Sequence, residues 1–279
     1  MRQINVTEIT ERVEKLCIEA CIVVAPDIRA TVEQAIEKEE GRAKQVLTEM
    51  LLNQDISKKK RMPICQDTGM AVVFLEIGQN VSIIGGNIED AVNDGVKLGY
   101  EKGYLRKSVV EDPVHRVNTK DNTPAVIHYE IVPGDNVKIT VSPKGFGSEN
   151  MSRLKMLVPA DGIKGIKDFI IDTVINADSN ACPPIIVGVG VGGTFEKSAF
   201  MAKKALLRTI GSKHPDPFWA QTEAELLEDI NKLGIGPAGL GGILTAMAVH
   251  IETYPTHIAG MPLAVNIGCH VNRHETATI

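Results

Sequence analysis

Aromatic residues are scarce in this sequence, with one Trp, four Tyr and six Phe among 279 positions. Positive charge is not in excess either. The formal net charge is −5, which gives no reason to expect nucleic acid or an anionic membrane surface as a partner. No uninterrupted apolar run reaches the roughly 18 residues that a membrane helix needs. The start, Met1-Arg2-Gln3-Ile4-Asn5-Val6-Thr7-Glu8, lacks the apolar core of a signal peptide. Together these absences predict a cytoplasmic chain without membrane contact. A Gly-x-x-x-x-Gly-Lys-Ser/Thr loop is missing, which excludes a P-loop ATPase. Internal repeats and low-complexity segments are missing too. Five cysteines is an odd count without a Cys-x-x-Cys pair, so a secreted disulfide framework is not expected and the thiols are expected to be reduced.

What is present is an ordinary globular composition, 43% hydrophobic and 23% charged, long enough to bury a sizeable core as one large domain or two. Apolar residues at helical spacing (Val6, Ile9, Val13, Leu16, Cys17, Ala20, Cys21, Val24) predict an amphipathic first helix, with Thr7 as its cap. Cys17 and Cys21 lie on its apolar stripe and read as small core residues. Two more helices follow, from Pro26 to Gly41 and from Ala43 to the basic run Lys58-Lys59-Lys60-Arg61, so the helical part extends to about residue 60. Strands are predicted at Ala71–Ile77 and Val81–Ile84, then a helix over Ile88–Gly103. Val126–Val132 and Val137–Val141, joined by Pro133-Gly134-Asp135-Asn136, predict a β-hairpin. Further on come a helix from Ile163 to Ala177, a buried strand from Pro184, helices over Phe195–Leu207 and Trp219–Lys232, and last strands over Thr245–Thr253 and Leu263–Ile267. The class is α+β: an N-terminal helical layer packed on a mixed, largely antiparallel β-sheet flanked by helices.

Chemistry centres on Pro63-Ile64-Cys65-Gln66-Asp67-Thr68-Gly69, where a thiol, an amide and a carboxylate stand side by side in a turn stiffened by Pro and Gly. Cys182, in Ala181-Cys182-Pro183-Pro184, and Cys269, in Gly268-Cys269-His270, also occupy turns beside Gly or Pro. Three turn cysteines make a candidate set for one metal site, and three thiolates suit zinc or iron–sulfur equally well. A structural zinc protein is the non-enzymatic alternative. Arg106 is a candidate bidentate clamp for a carboxylate; His257, in Tyr254-Pro255-Thr256-His257-Ile258, is a candidate site histidine or a core one. Gly188, Gly190 and Gly193 fit the dinucleotide pattern Gly-x-Gly-x-x-Gly between strand and helix, but Gly211–Pro217 stands where the second strand and its acid are required.

The turns around Cys65, Cys182 and Cys269 join several other segments in one resemblance: Gly103-Tyr104-Leu105-Arg106-Lys107-Ser108, Asp121-Asn122-Thr123-Pro124-Ala125, Gly147-Ser148-Glu149-Asn150, Gly192-Gly193-Thr194-Phe195-Glu196-Lys197 and Tyr254-Pro255-Thr256-His257-Ile258. In collinear order over essentially the whole chain, they resemble the class I fumarate hydratase family, and within it the alpha subunit of the two-subunit type. L-tartrate dehydratase alpha subunits share the cysteine motifs. The resemblance implies a 4Fe–4S cluster held by Cys65, Cys182 and Cys269, with one iron left open for the hydroxyl and a carboxylate of malate. It implies that Gln66, Asp67, Arg106 and Gly147 contact substrate, that Asp67 protonates the departing hydroxyl, and that His257 adjoins the site. The family's loop usually reads Gly-Gly-Gly-Ser-Glu, whereas Phe146 stands in its middle here. The resemblance implies that residues 1–279 correspond to the alpha-type domain, with the beta-type domain on another chain. The expectation is therefore a half-site for a small dicarboxylate, interconverting malate and fumarate (or dehydrating tartrate), completed by a beta subunit in an α2β2 assembly.

Overall fold

The computed structural model describes residues 1–279. In chain order its elements are β1 (Arg2–Asn5), α1 (Val6–Ile22), α2 (Pro26–Lys38), α3 (Gly41–Lys60), β2 (Met70–Gly78), β3 (Val81–Ile84), α4 (Ile88–Lys102), β4 (Val126–Val132), β5 (Val137–Lys144), α5 (Phe146–Glu149), β6 (Arg153–Leu157), α6 (Gly162–Ala177), β7 (Ile185–Gly192), α7 (Phe195–Ala205), α8 (Pro217–Lys232), β8 (Ala246–Tyr254), β9 (Met261–Gly268) and β10 (Glu275–Thr278). The α+β class read from the sequence is the one observed. The strands form two four-stranded mixed sheets and a two-stranded one. No helix is long and apolar enough to cross a membrane. The chain divides into two compact units: Met1–Ala25 with Asn53–Phe146 and Arg273–Ile279, and Pro26–Leu52 with Gly147–Asn272.

In the first unit the sheet order is β10-β5-β2-β4. Helix α1 has the predicted apolar stripe, but Asn5 caps it rather than Thr7. The Thr7 N–H donates to Asn5 Oδ1 at 3.0 Å, and Glu8 reaches back to the Asn5 N–H. This capping box is worth about 1 kcal/mol. The cap sits at Asn5 because Arg2–Asn5 is extended and pairs in parallel with β3; this short strand has no signature in the sequence. Helix α1 lies tightly on α4, where a Cβ at Gly99 would stand 2.8 Å from Cys17 Cβ. Val73, Leu75, Ile139 and Val141 supply the sheet side of this core.

The predicted hairpin of β4 and β5 does not form. Both strands exist at the expected places, but β2 runs between them, parallel to β4 and antiparallel to β5. Their connecting turn crosses the end of β2: the N–H groups of Gly78, Gln79 and Asn80 donate to the carbonyls of Asn136, Val132 and Gly134. Gly78 makes room for the crossing, since a Cβ there would lie 2.7 Å from the Gly134 carbonyl oxygen. A strand of Val, Phe and Leu buried on both faces pairs on both edges, and this demand outweighs the local hairpin signal.

In the second unit the order is β6-β9-β7-β8. Strand β7 is buried along its whole length. The glycines of the apparent dinucleotide pattern have a packing role. A Cβ at Gly190 would lie 2.1 Å from the Ser198 carbonyl oxygen, and one at Gly188 2.2 Å from that of Ala202. Helix α7 therefore rests directly on the β7 backbone. Ile170, Val187, Leu226, Ile230 and Ile251 fill the core beside it.

Candidate active site

The turn before β2 is held from several sides within the first unit. Asp67 is half-buried, and its carboxylate accepts from the Gly69 N–H (3.1 Å, Oδ1) and the Phe146 N–H (2.8 Å, Oδ2). Its carbonyl accepts from Arg273 Nη2 at 2.6 Å. Gly145 lets these groups approach, because a Cβ there would stand 3.0 Å from Asp67 Oδ2 and 3.2 Å from Arg273 Nη2. Gly69, at φ +72°, lies against the Lys144 backbone, where no side chain fits. Two backbone donors leave the carboxyl one orientation, with Cys65 two residues away. Cys65 is half-buried and Gln66 exposed, and the Cys65 thiol lies 3.5 Å from Gln66 Oε1. Phe146, the departure from the family's loop, is exposed, and its backbone N–H is one of the two that hold the Asp67 carboxylate.

Arg106 is exposed on the following loop. Thr68 Oγ donates to its carbonyl at 3.1 Å. Asn122, wholly buried, joins the two segments: its Oδ1 accepts from the N–H groups of Ser108 and Val109, and its Nδ2 donates to the Gly69 carbonyl. Tyr100, also fully buried, donates to the Thr68 carbonyl at 2.8 Å. The turn carrying Asp67 and the loop carrying Arg106 thus share one internal support.

In the second unit the sheet register brings the other two turns together. Strand β7 starts at Ile185 and its antiparallel neighbour β9 ends at Gly268, with Ile186 opposite Gly268. Cys182, just before β7, and Cys269, just after β9, therefore share one end of the sheet. The His270 N–H donates to the Cys182 carbonyl at 3.1 Å and ties the turns. Cys182 is exposed, in a left-handed conformation (φ 54°, ψ 64°), and Cys269 is half-buried. Gly147 is exposed in α5. His257 is exposed, not a core residue, in the loop from β8 to β9. Its Nδ1 accepts from the Ala259 N–H. That loop is at the opposite end of the sheet from Cys182 and Cys269, a strand of eight residues away, or roughly 25 Å. Neither unit by itself gathers three His, Cys, Asp or Glu side chains about one point.

The five thiols sort into two kinds. Cys17 and Cys21 are sealed in the first unit's core. Burial raises the Cys17 thiol well above its ordinary value, and it pushes Cys21 up to about 11 despite the opposing charge of Arg273. Buried neutral thiols are poor metal ligands. The three turn cysteines remain, all reachable from solvent, so the donor set fits a cluster held by three thiolates.

Residues 10–278 match the family model described as fumarate hydratase (Fumerase). The chain belongs to this family. A relative named putative L(+)-tartrate dehydratase subunit alpha, from Methanocaldococcus jannaschii, is 43% identical over 280 residues, 98% of each chain. The L(+)-tartrate dehydratase subunit alpha of Escherichia coli strain K12 is 36% identical over 221 residues, covering 78% of this chain and 72% of that one. This Fumerase-family chain is of hydro-lyase type.

Sequence reasoning missed Arg273, Tyr100 and the role of Asn122. Asn122 was visible inside a family motif, but without a task. Arg273 lies 206 positions from Asp67, and no local pattern announces it. Only the antiparallel pairing of β10 with β5 returns the chain to the Asp67 turn.

Proposed function

We propose that this chain is the alpha subunit of a 4Fe–4S hydro-lyase that interconverts malate with fumarate and water, Asp67 acting as general acid. The observation that carries this reading is the fixed carboxyl of Asp67, oriented by two backbone N–H groups two residues from a reachable thiol. Cys65, Cys182 and Cys269 would hold the cluster. When bound, the cluster supplies a Lewis-acid iron that eases loss of a poor leaving group, hydroxide. Asp67 gives its proton to the departing oxygen as the C–O bond breaks, and water leaves. The Arg106 guanidinium pairs with a substrate carboxylate and stabilises the charge that grows on it when the neighbouring carbon loses its proton. The exposed Gln66 amide and the Gly147 N–H add hydrogen bonds to the substrate. The base comes from a beta subunit, in keeping with the "subunit alpha" names of the relatives. His257 takes no step beside the cysteines of its own unit, being at the other end of that sheet.

The second reading is dehydration of tartrate to oxaloacetate, the same bond-breaking on a dihydroxy acid. The relatives' names favour it. Anaerobic co-expression with the beta partner, followed by assays on malate and on L(+)-tartrate, separates the two. A turnover ratio above about a hundred for malate supports the first reading, and the reverse ratio replaces it. Colourless protein carrying zinc instead of about four irons per chain would remove the cluster from both.

A further inference from the structure

The Cys182 turn is short of donors. Pro183 and Pro184 follow the cysteine and carry no N–H, so the turn is fixed largely through its carbonyls. The Cys182 carbonyl accepts from the His270 N–H, and the Pro183 carbonyl from the Ala238 N–H at 2.8 Å. Ala238 belongs to Gly234-Ile235-Gly236-Pro237-Ala238-Gly239-Leu240-Gly241-Gly242, where five of nine residues are glycine. This loop also lies against the entry to the turn. A Cβ at Gly239 would stand 2.4 Å from Ser179 Cβ, and the Ser179 carbonyl accepts the Cys182 N–H. A segment so rich in glycine loses the most backbone freedom on becoming ordered, so whatever orders the loop decides how firmly it holds the turn.

A carboxylate clamps the far end of that loop. Glu39, just past the end of α2, is 3% exposed. Its Oε1 accepts the Ile243 N–H at 2.6 Å and the Leu244 N–H at 2.8 Å. A Cβ at Gly242 would lie 3.0 Å from both carboxylate oxygens, so the backbone closes on Glu39 directly. Nearer the turn, the Gly236 N–H donates to Thr245 Oγ1 at 3.1 Å and the Gly241 N–H to the Ile235 carbonyl at 2.9 Å. Every one of these residues lies in the second unit. We propose that Glu39 is a positioning residue for Cys182: its carboxylate fixes the glycine loop, and the loop fixes the turn that presents the thiol. The proposal rests on the reading of Cys182 as a cluster ligand. Glu39 acts through backbone alone and takes part in no bond-breaking step. Because Oε1 takes both N–H groups, the role requires an acceptor oxygen and not a charge.

Hydrogen exchange of the full chain, resolved amide by amide, tests the relay. Glu39→Ala is expected to speed exchange of the Ala238, Cys182 and His270 N–H groups about tenfold or more, while Val187 and Val249 in the core of the same sheet keep their rates. Glu39→Gln keeps the acceptor oxygen and is expected to exchange like the unsubstituted chain. Gly239→Ala attacks the other end of the relay. It leaves both bonds to Glu39 intact and is expected to speed Ala238 and Cys182 while Ile243 and Leu244 stay slow, so the test survives if Glu39→Ala does not fold. In the anaerobic assembly with the beta partner, Glu39→Ala is expected to lose iron to a chelator about tenfold faster, and Glu39→Gln at the unsubstituted rate. Slow Cys182 exchange in folded Glu39→Ala whose Ile243 and Leu244 amides exchange freely, or in folded Gly239→Ala, would overturn the proposal whatever the chain's metal content. So would Glu39→Gln behaving like Glu39→Ala. Iron kept in full by Cys182→Ser would instead remove the cluster-ligand reading and, with it, the purpose assigned to Glu39.

Discussion

The two units repeat one topology without repeating sequence. In the first, β2 leads through α4 to β4, which pairs in parallel with it, and the chain then crosses to β5 on the other side of β2. In the second, β7 leads through α7 and α8 to a parallel β8, and the chain crosses to β9 on the other side of β7. Each central strand is entered from a cysteine turn, Cys65 before β2 and Cys182 before β7. In each case the segment leaving the antiparallel neighbour donates a backbone N–H into that turn, from Phe146 to Asp67 and from His270 to Cys182. The difference lies in what else supports the turn. In the first unit buried side chains do so, Asn122, Tyr100 and Arg273. In the second, backbone bonds predominate, including that from the Ala238 N–H to the Pro183 carbonyl. Around Asp67 the side chains hold the turn's backbone while backbone N–H groups aim the carboxylate, whereas the Cys182 turn is held chiefly by its own unit's backbone.

The largest expected effects test the cysteine turns. Cys65→Ser, Cys182→Ser and Cys269→Ser should each abolish turnover and lower bound iron. Cys17→Ala, in the sealed core, should keep the iron and lose only about 1 kcal/mol of stability. Iron analysis beside a denaturant titration checks both. Asp67→Asn should retain iron and lose roughly 10²- to 10⁴-fold in kcat; wild-type turnover by this variant would reassign the acid. Asn122→Ala strands the buried Val109 N–H and the Gly69 carbonyl and removes the partner of the Ser108 N–H, at about 2 kcal/mol, and it frees the Arg106 loop. A rise in KM with little change in iron content is the expected signature.

The smallest effect probes the second unit alone. His250 is buried on β8, its Nδ1 beside the Ala205 carbonyl at 3.2 Å. Burial, helped by the charge of Arg208, lowers its pKa to about 4. The unfolded chain binds this proton near pH 6.5 and the folded chain does not. Stability is therefore intact above pH 6.5 and falls as the pH drops toward 4, by about 3 kcal/mol in total. His250→Leu should flatten that part of the profile in urea titrations run from pH 7 to 4. A parallel loss in the variant would assign the slope to carboxylates.

Helices and strands were legible wherever periodicity was strong, as in α1, α4 and the apolar run of β7. The glycines of β7 were legible as a motif and misleading as chemistry, because close helix–strand packing and phosphate binding demand the same small residue. The meeting of Cys182 and Cys269 depends on the pairing of β7 with β9, which the two segments separately do not specify. The hairpin failed for the same reason: β4 and β5 fit each other locally, but β2 binds both. Tyr100 was hidden because a buried phenol on an apolar helix face looks like any other core residue until its hydroxyl finds the Thr68 carbonyl.

The contact between Arg273 and Asp67 joins residues 206 positions apart. On a ribosome adding about 5–20 residues per second, the general acid is made roughly 10–40 s before the cation that braces its turn. Strand β10, which closes the same sheet, arrives with it. The earliest part of the proposed catalytic apparatus to emerge therefore receives its last brace near the end of synthesis, and during that interval only Gly69, Tyr100, Asn122 and Phe146 are there to hold it.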